Sequence, residues 1–220
     1  MKKFAVIVAG GTGSRMQSNI PKQFMLLSGK PVLMHTIEQF YFYDVAIQLI
    51  LVLPANQKAQ WIELCERHSF TINHQVVSGG NTRFESVKNG LAFVDENSMV
   101  AIHDGVRPLV SHTIIKTSYS VASSKGCAIA AVTLKDSIRE KSDFGTVSKE
   151  RGNYFLVQTP QTFQSALIKK AYATLDASTN FTDDASVFEA FGKGVTLIEG
   201  DYRNLKITMP EDLIIAQALL

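Results

Sequence analysis

Short, nearly continuous apolar runs alternate with longer stretches of helical periodicity, and this alternation narrows the fold more than any other feature. FAVIV (4–8), IQLILVLP (47–54), HQVVSG (74–79), MVAIHD (99–104) and CAIAAV (127–132) read as strands buried on both faces. Between them, Pro31 stands where the first turn of a helix through VLMHTIEQFYFY would begin, and ANQKAQWIELCERH and RFESVKNGLAFV are further helix candidates. Two helices near 164–176 and 184–191, the strand VTLIEG and a last helix from Pro210 follow. The pattern predicts an α/β fold, a Rossmann-like and mostly parallel sheet with helices on both faces. Ligands of such sheets bind at the carboxyl ends of the strands, so residues just past each run are the first to examine.

A length of 220 residues suits one domain, 1–220, and 45% apolar with 19% charged residues argues against disorder. One segment breaks the alternation. Lys135 to Arg151, KDSIREKSDFGTVSKER, holds nine charged residues in seventeen around an Asp-Phe-Gly turn signal. It is too polar for a core and reads as a solvated loop or a β-hairpin arm at about 134–155. The formal net charge of +2 is too small to imply a nucleic-acid or membrane partner. No run approaches the ~18 apolar residues of a membrane span, and Met1-Lys2-Lys3 leads into too short an apolar stretch for a signal peptide. Cys65 and Cys127 lie in neither a CxxC nor a metal-ligand spacing. With no secretory signal, the Asn180-Phe181-Thr182 sequon is read as chance, and a cytoplasmic location is expected.

AGGTGSRMQSNIPKQF (9–24) follows the first strand directly. Glycines after a buried strand expose backbone N–H groups in a concavity suited to phosphate. A dinucleotide fingerprint GxGxxG fails at Met16, and no lysine follows Gly13 as a P-loop needs. What remains is a glycine turn with Arg15 in it and Lys22 on its far side, two cations that with the backbone donors can hold a triphosphate.

GGTGSRM followed by PKQF resembles the nucleotidyltransferases that join a nucleoside triphosphate to a sugar or polyol phosphate. VSGGNTRFESVKNGL (77–91), HDGVRP (103–108), QTPQTF (158–163), FTDDAS (181–186) and KITMPEDL (206–213) occur in that order. Together these motifs are similar to the 2-C-methyl-D-erythritol 4-phosphate cytidylyltransferase family from residue 4 to the last helix.

The resemblance implies CMP transfer from CTP to methylerythritol phosphate with a divalent cation, most simply Mg²⁺. It implies that Arg15 and Lys22 stabilise the transition state at the α-phosphate. Ala9, Gly10, Gly11 and Gly13 would hold the nucleotide's phosphates. Gly80, Asn81 and Ser86 would line the cytidine pocket, with Gly105 making a backbone contact where relatives often carry alanine. Asp104 is expected at the polyol hydroxyls or the ribose and beside the metal, and Arg107 as a brace of that loop. Arg151 and Lys206 match the positions that hold the incoming phosphate, aided by Thr182 and by Ser137, which stands where the family commonly has threonine. Thr159 is expected to anchor a turn. The resemblance further implies a homodimer with interlocked arms, Arg151 completing the partner's site. A ribitol-5-phosphate cytidylyltransferase and a nucleotide-binding regulator without catalysis are the competing readings.

Overall fold

The computed structural model describes residues 1–11, 20–176 and 181–220. Its elements run β1 (Lys2–Val8), the short ribbon β2 (Leu26–Leu27) and β3 (Lys30–Pro31), α1 (Val32–Tyr43), β4 (Gln48–Leu53), α2 (Lys58–Arg67), β5 (Gln75–Ser78), α3 (Arg83–Leu91) and β6 (Ser98–Asp104). Then come α4 (His112–Lys125), β7 (Cys127–Thr133), β8 (Ile138–Ser142), β9 (Gly145–Lys149), β10 (Phe155–Gln164), α5 (Ser165–Thr174), α6 (Asp184–Ala190), β11 (Leu197–Glu199) and α7 (Pro210–Leu219). Seven strands form one sheet in the order β11-β7-β10-β6-β1-β4-β5. In this sheet β10 runs antiparallel to its neighbours, β6 and β7, and the other pairs are parallel, so the expected mostly parallel α/β architecture is the observed one.

Both faces of the sheet are covered, which is why the strands read as unbroken apolar runs. Alternate residues of β1 go to opposite sides. Ala5 and Ile7 pack with Leu33, Phe40, Trp61 and Ile115 of α1, α2 and α4. Phe4 and Val6 pack with Phe84, Val87, Ile168 and Phe188 of α3, α5 and α6. Pro31 falls one residue before α1, extended at ψ 136, rather than inside its first turn.

The sequence pattern does not announce α4. HTIIKTSYSVASSK is rich in Ser and Thr, whose helix propensity is poor. Tertiary packing overrides that preference. Ile114, Ile115, Tyr119 and Ala122 are buried at helical spacing, the Ser111 side chain accepts from the Ile114 N–H, and Gly126 at φ 91 closes the end. The Tyr119 hydroxyl reaches the Phe4 carbonyl at 2.7 Å.

The charge-dense segment is a hairpin. Strands β8 and β9 pair with Ser142 opposite Gly145, which leaves Asp143-Phe144 as a two-residue turn. Gly145 sits at φ 122, where a side chain is strained, and Phe144 is fully exposed at the tip.

Gly90 shows how closely α3 lies on the sheet. A Cβ there would meet Val6 Cγ1 at 2.7 Å and Val52 Cγ2 at 2.9 Å. Replacing a helical glycine with alanine normally gains about 1 kcal/mol, whereas overpacking against stiff β-branched neighbours costs about 1–3 kcal/mol. The clash wins on strands that cannot move apart, so Gly90→Ala is expected to lower the urea midpoint at unchanged slope. A midpoint at or above wild type would show that α3 can lift off freely.

Candidate active site

The carboxyl ends of β1, β4, β5 and β6 meet at one edge of the sheet. Past those ends the backbone keeps pairing: Ala9 N–H donates to the Val52 carbonyl at 2.9 Å, Gly79 to Leu53 at 2.8 Å and Gly105 to Val8 at 2.9 Å. Gly10, Gly11 and Gly80 therefore stand over a cavity of about 240 Å³. Lys22 is buried beside it, and its Cε lies 3.4 Å from where a Gly11 Cβ would be, so a side chain there would crowd the lysine stem. Gln23, which sequence reasoning passed over, fixes this wall by donating to the Ala9 carbonyl at 2.9 Å.

On the opposite wall, the turn before α3 is held by its own helix. Ser86 Oγ accepts the Gly80 N–H at 3.1 Å, and Glu85 accepts the Asn81 N–H at 2.6 Å. Thr82 caps α3 by accepting the Glu85 N–H at 3.1 Å. A Cβ on Gly79 would lie 2.9 Å from Ser86 Oγ, so this turn closes only with glycine there.

A second cavity of about 240 Å³ adjoins the first and shares Arg83, Asp104 and Lys206 with it. Asp104 Oδ2 accepts from Arg107 Nε at 3.1 Å and forms an ion pair with Lys206 Nζ at 3.1 Å. Burial alone would raise the Asp104 pKa, but Lys206, Arg107 and Arg83 hold the carboxyl well below the usual range, so it is ionised. The lysine is aimed by its own loop: Arg107 donates to the Asn204 carbonyl at 2.7 Å, Asn204 to that of Thr159 at 2.8 Å, and Ile207 to that of Val106 at 2.9 Å. Thr159 accepts the Asp104 N–H at 3.0 Å, the anchoring role expected of it. His103 is buried against Phe40 with its pKa pushed down to about 4 by burial, so it is neutral and stands apart from Asp104's chemistry.

The sequence-derived site is largely brought together. Ala9, Gly10, Gly11 and Lys22 line the first cavity with Gly80, Asn81 and Ser86. Arg107 and Thr182 line the second. Gly105 lines neither, since its missing Cβ faces Ala9 and Leu33 at 2.9 Å, inside the core. Ser137 and Arg151 are also absent from both linings, and Arg151 donates instead to the Lys135 carbonyl at the root of the hairpin, 2.5 Å away. Arg15 and Gly13 lie outside the described residues. Sequence reasoning missed Arg83 and Asn204 as parts of the site. A cation in a helix's first turn opposes the helix dipole and signals an acidic partner, which is how Arg83 is legible.

The family model for 2-C-methyl-D-erythritol 4-phosphate cytidylyltransferase (IspD) matches residues 4–220. The chain belongs to this family. It is 50% identical over 220 residues to the 2-C-methyl-D-erythritol 4-phosphate cytidylyltransferase of Bacteroides thetaiotaomicron, with 100% of both chains covered. Among solved structures, the 4-diphosphocytidyl-2C-methyl-D-erythritol synthase of Anaerococcus prevotii superposes with a TM-score of 0.85 at 29% identity, covering 99% of this chain and 95% of that one. The Thermus thermophilus 2-C-methyl-D-erythritol 4-phosphate cytidylyltransferase gives 0.83 at 27% identity, covering 100% and 98%.

Ser86→Ala would leave the Gly80 N–H without its acceptor and loosen the turn. Losing one such partly buried bond costs about 1.4 kcal/mol, or roughly ten-fold in affinity. CTP binding measured by calorimetry is expected to weaken by that factor, with the fold intact by circular dichroism. Unchanged affinity would remove Ser86 from the support of the nucleotide turn.

Proposed function

We propose that this chain transfers the cytidylyl group of CTP to 2-C-methyl-D-erythritol 4-phosphate, releasing pyrophosphate. The observation that carries the reading is the pair of adjoining cavities that share Arg83, Asp104 and Lys206, one beside the glycine turns and one beside Thr182. The first takes the nucleotide and the second the alcohol phosphate. An oxygen of the alcohol phosphate attacks the α-phosphorus of CTP, a new P–O bond forms, and the bond to the bridging oxygen of the β-phosphate breaks. The bridging oxygen leaves with pyrophosphate. The attacking oxygen of the alcohol phosphate is already ionised, so no general base is required. The protein has to aim it and screen its charge from the triphosphate.

The charges suit that task. Lys22 meets negative charge that develops at the α-phosphate, and Arg15 is assigned the same role by family resemblance. Lys206 and Thr182 hold the incoming phosphate. Asp104, an acceptor, suits hydroxyls of the polyol or ribose. Asp104 is also the one carboxylate among the described residues lining the first cavity, and no group of three or more His, Cys, Asp or Glu among the described residues could hold a metal unaided. A Mg²⁺ carried mainly by triphosphate oxygens needs one or two carboxylates from the protein, so Asp104 fits it. When bound, the ion would neutralise triphosphate charge and polarise the reacting phosphoryl group.

Arg151 and Ser137 stand at the root of a hairpin, away from both cavities. Exposed Tyr154, Phe155, Leu156 and Val157 follow after the short turn Arg151–Asn153. A two-stranded hairpin is marginal in water by itself. Burying this stripe against a second copy would stabilise the arm and carry Arg151 and Ser137 to the partner's acceptor cavity, so the chain acts as one domain with a dimerisation arm. Among the described residues no helix is long and apolar enough to cross a membrane. Both cysteines are free, in keeping with a cytoplasmic enzyme.

Pyrophosphate release should be seen with CTP plus methylerythritol phosphate, and be far slower with UTP or ribitol 5-phosphate. Release only with ribitol 5-phosphate would reassign the acceptor, and none with any pair would leave a binding protein. Lys22→Ala is expected to depress kcat by about 10²-fold or more while CTP affinity changes little.

The shared site makes a separate prediction. Lys22→Ala and Arg151→Ala proteins, each inactive, should regain roughly a quarter of wild-type activity when mixed, because half the dimers are mixed and each has one intact site. If subunits demonstrably exchange and activity stays at background, Arg151 acts within its own chain or not at all.

A further inference from the structure

Arg83 begins α3, at the helix end where a cation is disfavoured, and Glu85 in the same turn accepts the Asn81 N–H rather than pairing with it. The partner of Arg83 lies 101 residues away. The two guanidinium nitrogens donate to the two carboxylate oxygens of Asp184 at 2.9 and 2.6 Å. Asp184 is fully buried and also accepts the Tyr172 hydroxyl at 2.6 Å. Burial would weaken the charge on Arg83, but Asp184 keeps it protonated. Asp184 opens α6, whose N-cap is Asp183 and whose preceding residue is Thr182. The Gln161 amide donates to Asp183 at 2.9 Å and its carbonyl oxygen accepts the Ala185 N–H at 2.8 Å, so the start of α6 is held from two sides. Arg83 remains 27% exposed, and it lines both cavities.

We propose that Arg83 is a positioning residue for the acceptor. It ties the turn that holds the nucleotide to the loop that presents Thr182, and so sets the distance between the two phosphates across Asp104 and Lys206. The inference deepens the activity proposed above and rests on it. A planar fork answered by both carboxylate oxygens fixes direction as well as distance, which a lysine's single charge does not. Placement errors of about 1 Å at a reacting phosphate cost up to about 10²-fold in rate. The fork is turned onto Asp184, so Arg83 acts through Asp184 and α6 rather than on the nucleotide directly.

The test uses full-length wild type, Arg83→Gln, Arg83→Lys, Asp184→Asn and the Arg83→Gln/Asp184→Asn double variant, each substrate being varied in turn. Arg83→Gln and Asp184→Asn are expected to raise KM for methylerythritol phosphate about ten-fold or more, with KM for CTP moved less than about three-fold. Arg83→Lys should recover part of the loss. The double variant should be no worse than the worse single, because both act through one pair. A CTP KM that rises as much as the acceptor's makes Arg83 a nucleotide ligand and overturns the proposal. So do multiplicative effects in the double variant, or a lower melting temperature with both KM values unchanged. If the single variants fail to fold, Arg83→Met/Asp184→Leu leaves no buried charge unpaired and carries the same KM comparison. A wild type without turnover overturns the activity itself and this inference with it, whereas an active wild type with an unmoved acceptor KM in the variants overturns the inference alone.

Discussion

The Asp104 carboxylate is the charge around which the site is arranged. It ends β6, a central strand whose seven residues are all buried, and so sits where an unpaired charge would cost several kcal/mol. Compensation comes from three parts of the chain: Arg107 just beyond the strand, Lys206 from the segment before α7, and Arg83 from the start of α3. Asp104 is thus paired with two cations, while Arg83, whose fork is on Asp184, adds its charge from the wall of the same cavities. The positive charge that results suits the two phosphorylated substrates proposed for this site.

This arrangement explains why bulk composition says so little about ligands. A net charge of +2 describes a nearly neutral protein, yet Lys22, Arg83, Arg107 and Lys206 line the two cavities while the hairpin's charges largely face solvent. Arg139 and Lys149 there bond within the hairpin itself, to Thr146 and Glu140. Exposed pairs of that kind contribute little to stability. The same residue types at the strand ends are partly or wholly desolvated, where each interaction is worth more. Location decides what a charge does.

The parts of this fold written in local periodicity were legible in the sequence. The five apolar runs, the start of α3 and the last helix at Pro210 all fall where their patterns put them, because burial on both sheet faces leaves a direct trace in the residues. What sequence could not supply was anything decided at long range. Helix α4 exists because Tyr119 and its neighbours have a sheet to pack on, against the preference of its own Ser and Thr residues. Asn204 looks like any loop asparagine, yet it is buried and holds the Thr159 carbonyl, which fixes the loop that aims Lys206. The hairpin was visible as a polar excursion, but composition left open whether it was a loop or paired strands, and pairing depends on a turn at Asp143-Phe144.

Core packing and site geometry meet in α3. At its carboxyl end, Gly90 lets the helix rest directly on Val6 and Val52. Nine residues of helix span about 13 Å, so that contact also fixes how far the amino end reaches past the strands. At the amino end, Ser86 takes the Gly80 N–H and Arg83 crosses to Asp184. Turning or raising the helix would move both together, shifting the nucleotide turn and the Thr182 loop in the same direction. A rigid helix seated on two stiff strands thus keeps the two halves of the site in register, which a loop of the same length would not do. The apolar seat at Gly90 and the Arg83–Asp184 pair act on one helix, from its two ends.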